Sequence, residues 1–119
     1  MGYDVHITRK KDWSDKDGPE INLEEWVATV RSDPEMRLDG AAEAVTPSGD
    51  RLRYENEGLA VWTGHARHEG WFDYRRGRIV VENPDQEVLG KMYAIAQRLS
   101  ARVVGDEGEV YDDKGELRA

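Results

Sequence analysis

Between residues 52 and 82 the chain carries large side chains on both alternations of a strand pattern. No other feature restricts its fold as much. Leu59 and Val61 fall on one side of a period-two repeat and Trp62 on the other; Trp71 and Asp73 fall on one side, Phe72 and Tyr74 on the other. A sheet that is apolar on both faces has to be covered twice, by helices, by its own loops or by a partner. Turn residues at 56–58 and 76–77 divide the stretch into strands at 51–55, 59–63, 71–75 and 78–82. Hairpin after hairpin predicts an antiparallel meander. A further short strand is expected at 41–46, after a linker at 35–40.

Two helices flank this meander. Asn22 is a suitable N-cap, with Glu25 three residues on to close a capping box. Ile21 and Trp26 stand at the hydrophobic-staple positions, and Leu23, Trp26, Val27 and Val30 line one face. Asp33-Pro34 ends that helix, because the residue before proline avoids the helical region. A second helix is expected from Asn83 as N-cap and Pro84 at its first position, with Val88, Leu89, Met92, Ile95, Ala96 and Leu99 inward. Tyr3, Val5 and Ile7 alternate as a leading strand. Residues 102–104 and 109–111 read as a closing hairpin, and 112–119 as a frayed polar tail. The expectation is one α+β domain over residues 1–119, two-layered, with an antiparallel sheet packed against two helices.

Charge narrows the partners. The chain has 119 residues and a net charge of −8. Residues 12–57 carry thirteen acids and five bases, whereas residues 58–81 are net basic. Nucleic acid is disfavoured as a partner, since phosphate contacts need a basic face. No apolar run approaches a membrane span. There is no cysteine, which excludes disulfides and thiolate chemistry. With no signal-peptide layout at the N-terminus, a cytoplasmic location is expected. Arg75, Arg76 and Arg78 beside the aromatics leave room for a homodimer through the meander, pairing with the acidic half of a second copy.

Chemistry-bearing motifs are sparse. His65 and His68, three apart, are the one metal-like spacing; with Glu69 or His6 they form the alternative reading, a small metal- or ligand-binding enzyme using nearby carboxylates. Glu55 and Glu57 share a strand face, but Asn56 and Gly58 suggest an exposed turn. No serine sits in a nucleophile elbow and no glycine pattern cradles a phosphate. No cofactor, catalytic residue or metal ligand is assigned.

The stretches 3–9, 32–36, 54–59, 71–74 and 79–84 resemble a family of small acidic bacterial proteins of uncharacterised activity, along most of the chain. In size and charge the chain also resembles immunity proteins of bacterial toxin systems. That resemblance implies a non-enzymatic inhibitor that occludes a basic site on a toxin domain. The expected partner-binding residues are Asp12, Asp15, Asp17, Glu20, Glu24, Asp33 and Glu35, with Trp13 as an aromatic anchor.

Overall fold

A computed structural model describes residues 3–117, without the side chains of residues 41–44 and 52–55. The element order is β1 (Asp4–Thr8), α1 (Leu23–Arg31), β2 (Met36–Leu38), β3 (Ala41–Val45), β4 (Arg51–Glu55), β5 (Ala60–Trp62), β6 (Gly70–Arg75), β7 (Arg78–Glu82), α2 (Gln86–Arg98) and β8 (Arg102–Gly105). Six strands form one antiparallel sheet in the order β2-β5-β6-β7-β1-β8, while β3 and β4 pair only with each other. The expected α+β architecture is present. The expected meander is confined to β5, β6 and β7.

Both helices pack on one face of the sheet. Trp26 and Val30 of α1 and Val88, Met92 and Ile95 of α2 share a buried cluster with Val5, Ile7, Phe72, Ile79, Val81 and Val103. Trp26 stacks at 6.5 Å from Phe72, and its indole N–H donates to the Gly58 carbonyl at 2.8 Å. Each such large side chain contributes roughly 1.5–3 kcal/mol by leaving water. The start of α1 is as its sequence predicts: Asn22 accepts from the Glu25 N–H at 2.8 Å, the Glu25 carboxylate accepts from the Asn22 N–H, and Ile21 and Trp26 are both fully buried.

Four local expectations change. Helix α2 is capped by Asp85, not Asn83: the Asp85 carboxylate accepts the Val88 N–H at 2.9 Å. Asn83 instead turns the chain at a φ of 48° and accepts the Tyr3 N–H. Residues 36–38 are an edge strand rather than a linker, because Met36 and Leu38 pair against Trp62 and Ala60. Residues 109–111 make only isolated bridges, Val104 with Val110 and Tyr111 with Leu117, so no second closing strand forms. Residues 112–117 are docked, with the Gln86 side-chain amide donating to the Lys114 carbonyl at 3.0 Å. The hairpin between β6 and β7 turns through Arg76 (φ 47°) and Gly77 (φ 83°), the positive pair of a type I′ turn. The side chains of Leu52, Tyr54 and Glu55, and residues 118–119, lie outside the described residues, so the carboxylate pair of Glu55 and Glu57 is not placed.

Candidate functional site: the helix-free face of the sheet

Alternation puts His6, Val61, Trp71, Asp73, Val80 and Val104 on the face opposite the helices. Val61, Val80, His6 and Asp73 are nevertheless buried. The loop after β1 seals one half of this face. The Trp13 ring stacks on His6 at 4.1 Å and 7°, and its N–H donates to the Asp106 carbonyl at 3.1 Å. The Arg78 guanidinium carbon sits 5.3 Å from the centroid of the Trp13 ring. Beneath the indole, His6 Nε2–H donates to Asp106 Oδ1 at 2.8 Å, and His6 Nδ1 accepts from Arg78 Nε at 3.2 Å. One ring nitrogen donates and the other accepts, which specifies a neutral imidazole. Burial lowers the His6 pKa, helped by Arg78 and only partly opposed by Asp106. Burial alone would raise the Asp106 pKa, but the His6 and Asp4 N–H donors outweigh it and hold it below the usual carboxylate value.

The other half of the face is open. A groove of about 510 Å³ runs over β6 and β7 to the start of α2, with Leu59, Trp71, Asp73, Val80 and Glu82 on the sheet and His68 and Asp85 on its rim. Its lining holds four carboxylates, Glu69, Asp73, Glu82 and Asp85, against one guanidinium, Arg75. Asp73 pairs with Arg75 at 2.8 Å and accepts from the Asn56 amide. Glu69 pairs with Arg37 at 3.0 Å. Glu82 makes no hydrogen bond or ion pair among the described residues. Trp71 is 37% exposed.

The rim is built by the loop between β5 and β6. His65 lies between Trp62 and His68, stacked on the latter at 3.8 Å. His65 Nδ1 accepts the backbone N–H groups of Arg67 (2.9 Å) and His68 (3.3 Å). That nitrogen therefore holds a lone pair, and Nε2 carries the proton it donates to Asp85 Oδ2 at 2.7 Å. His68 Nε2 points at the same oxygen at 3.2 Å, and its Nδ1–H donates to the Glu69 carbonyl at 3.0 Å. The ligand atoms of His65, His68 and Asp85 lie within 4.8 Å of one another, as a metal would need. But a metal-bound histidine donates from its second nitrogen, whereas the second nitrogen of His65 accepts twice. The arrangement suits protons. The Glu69 carbonyl raises the His68 pKa, with Asp85 adding to it. Burial pushes Asp85 up, but the Val88 N–H and the two imidazoles outweigh it, so its pKa is lowered.

The expected partner-binding residues do not form one surface. Asp12, Asp15, Asp17 and Glu20 are exposed on the loop that carries Trp13. Lys10 Nζ reaches the Asp15 carbonyl at 2.6 Å and Glu20 at 3.4 Å. Glu24 is exposed in the first turn of α1. Asp33 and Glu35 lie beyond the other end of that nine-residue helix, about 13 Å away by helical rise. There Asp33 binds Lys91 at 2.6 Å and Glu35 lies 3.6 Å from the same ammonium. The Asp33 side chain is only 11% exposed; burial raises its pKa, yet Lys91 and the Glu35 N–H outweigh this and lower it. Asp33 is thus held in an internal ion pair, and Trp13 lies as a lid on its own sheet. The groove residues Glu82 and Asp85 are not singled out by the sequence, because strand ends and helix caps carry acids routinely; its place beside Trp71 in the groove lining is what marks Glu82.

No protein-family model, no curated protein and no solved structure matches the chain. Among the described residues, no helix is long and apolar enough to cross a membrane.

Proposed function

We propose that this is a non-enzymatic binding protein of the bacterial immunity type, cytoplasmic, that neutralises a toxin by covering a basic site. The observation that carries this reading is the unequal covering of the sheet: helices close one face, and the other keeps an open groove in which carboxylates outnumber guanidiniums four to one. The exposed acids of the Trp13 loop, Asp12, Asp15, Asp17 and Glu20, adjoin the same face, because that loop is stacked on His6. Long-range attraction from such a face speeds encounter with a cationic partner and makes it salt-sensitive.

Two histidine groups do not favour catalysis. His6 is sealed under Trp13, and the rim histidines spend their nitrogens on Asp85 and on the loop backbone. The decisive experiment is co-expression with the toxin encoded beside the gene in the native host. Growth is expected to be rescued, and a tight complex that weakens with added salt is expected in calorimetry. Replacing Asp12, Asp15 and Asp17 together by lysine is expected to slow association. A wild-type protein that neither rescues growth nor binds the toxin ends the proposal.

A further inference from the structure

The four tryptophans are not equivalent. Trp13, Trp26 and Trp62 each give their indole N–H to an internal acceptor: the Asp106 carbonyl, the Gly58 carbonyl and the Glu35 carboxylate. Trp71 has no such acceptor among the described residues, although it lines the groove and is 37% exposed. Two of the three satisfied rings are also covered by an internal cation. Arg78 stands 5.3 Å from the centroid of Trp13, and Lys91 stands 5.8 Å from that of Trp62. In both places a carboxylate lies beside the pair: Asp106 bonds the histidine under Trp13, and Glu35 lies 3.6 Å from Lys91. This fold thus twice assembles a cation, an indole face and an acid.

Trp71 has the last two parts. Trp71 and Glu82 lie two residues beyond Asp73 and Val80, the last paired residues of β6 and β7, on the same face, and both line the groove. Asp4 stands opposite Glu82 on the next strand, and Val61 stands opposite Trp71 on the previous one. The row therefore reads acid, acid, indole, aliphatic. Neither the Asp4 carboxylate nor that of Glu82 has a hydrogen-bond or ion-pair partner among the described residues. Arg75, the one guanidinium of the groove, is bound to Asp73.

We propose that Trp71 and Glu82 form a seat for an arginine side chain of the partner, with the guanidinium plane on the indole and its N–H groups on the Glu82 carboxylate. The inference rests on the reading of the protein as a binder of basic surfaces and names the chemistry of the contact. Arginine fits better than lysine because its planar fork stacks on an aromatic face and meets a carboxylate through two parallel bonds. The apolar floor, Val80 and Leu59, limits the water that screens this contact. Asp4 extends the negative row behind Glu82.

The test is a titration followed by the indole N–H signal of Trp71 in two-dimensional NMR. The probe is a capped glycine–arginine–glycine peptide, compared with the same peptide carrying citrulline, which keeps the shape and removes the charge. A saturable shift of the Trp71 signal with arginine only is expected, with affinity falling about two- to fivefold in Glu82→Gln, and with binding of the same peptide, read by calorimetry, lost in Trp71→Ala. An equal response to citrulline, a response centred on Trp13, or a Trp71 signal that moves with protein concentration alone, as self-association at this face would cause, overturns the proposal. Co-expression separates this result from the wider reading. If Trp71→Ala rescues growth as well as the wild type, the toxin reading stands and the seat falls. If the peptide saturates Trp71 but no rescue occurs, the seat stands and the toxin reading falls.

Discussion

The two faces of one sheet are sealed by different physics. On the helix side Trp26, Phe72, Ile79 and Met92 are wholly buried among apolar neighbours. On the other side the buried set includes His6, Thr8 and Asp73, and closure depends on a ring stack and a chain of hydrogen bonds from Arg78 through His6 to Asp106. Dispersion and water release need no partner of specified geometry, so the helix side is held by close packing alone. A polar seal holds only where every group finds its partner. Beyond the reach of the Trp13 loop it stops, and the groove begins. On the proposed reading, stability is kept on one face and recognition on the opposite one.

That contrast is broken most directly on the helix side. Trp26→Ala is expected to cost roughly 3–5 kcal/mol, read as a fall in the urea midpoint. A loss below that of an ordinary surface change would mean the apolar layer is not the main support. Next comes the polar seal. Asp106→Ala leaves the buried His6 N–H without its acceptor and is expected to cost roughly 1–3 kcal/mol, with greater mobility of the Trp13 indole in relaxation measurements.

The seal also sets a pH dependence. The folded pKa of His6 is lowered from 6.5, so the unfolded chain takes up a proton that the fold resists; this stability is present above that value and is lost as pH falls below it. Asp106, Asp85 and Asp33, lowered from 3.8, add a second loss at more acid pH as they are protonated. His68 acts oppositely: raised from 6.5, it stabilises below that value and the contribution is lost as pH rises through its folded pKa. His6→Gln is therefore expected to flatten the decline of stability just below 6.5, and His68→Gln to remove a gain in stability that appears as pH falls towards 6.5 from above, in denaturant titrations at stepped pH. The smallest effect belongs to the groove. Trp71→Ala should change stability by no more than about 0.5 kcal/mol while altering binding, which separates recognition from folding.

Much of the local structure was legible. The capping box at Asn22 and Glu25, the staple of Ile21 and Trp26, and the inward stripe of α2 follow from spacing alone, because each is a contact within one or two turns of helix. The two-sided strands were also legible, with Trp62 facing away from Val61, and Phe72 and Tyr74 facing away from Trp71 and Asp73. The cap of α2 was read two residues early, since Asn83 and Asp85 are both good caps and the choice is made by the bond from Tyr3 to Asn83. The strand at 36–38 was missed because three residues cannot show a period; its pairing with β5 creates it.

The candidate site was less legible. Acidic residues close in sequence read as one surface, but α1 carries Asp33 and Glu35 to its far end, where Lys91 binds them. The spacing of His65 and His68 is legible in the sequence, but their convergence on Asp85, twenty and seventeen residues away, is not. By itself the sequence determined the element types, the helix start at Asn22, the apolar alternations and the uneven charge, all properties of neighbours along the chain. Tertiary structure alone decided which face the helices cover, that Trp13 turns inward onto His6, and that Trp71 stands exposed in one groove with Glu82. Those outcomes depend on pairing between strands distant in sequence, and a period of two reports that two faces differ without saying which one will be closed.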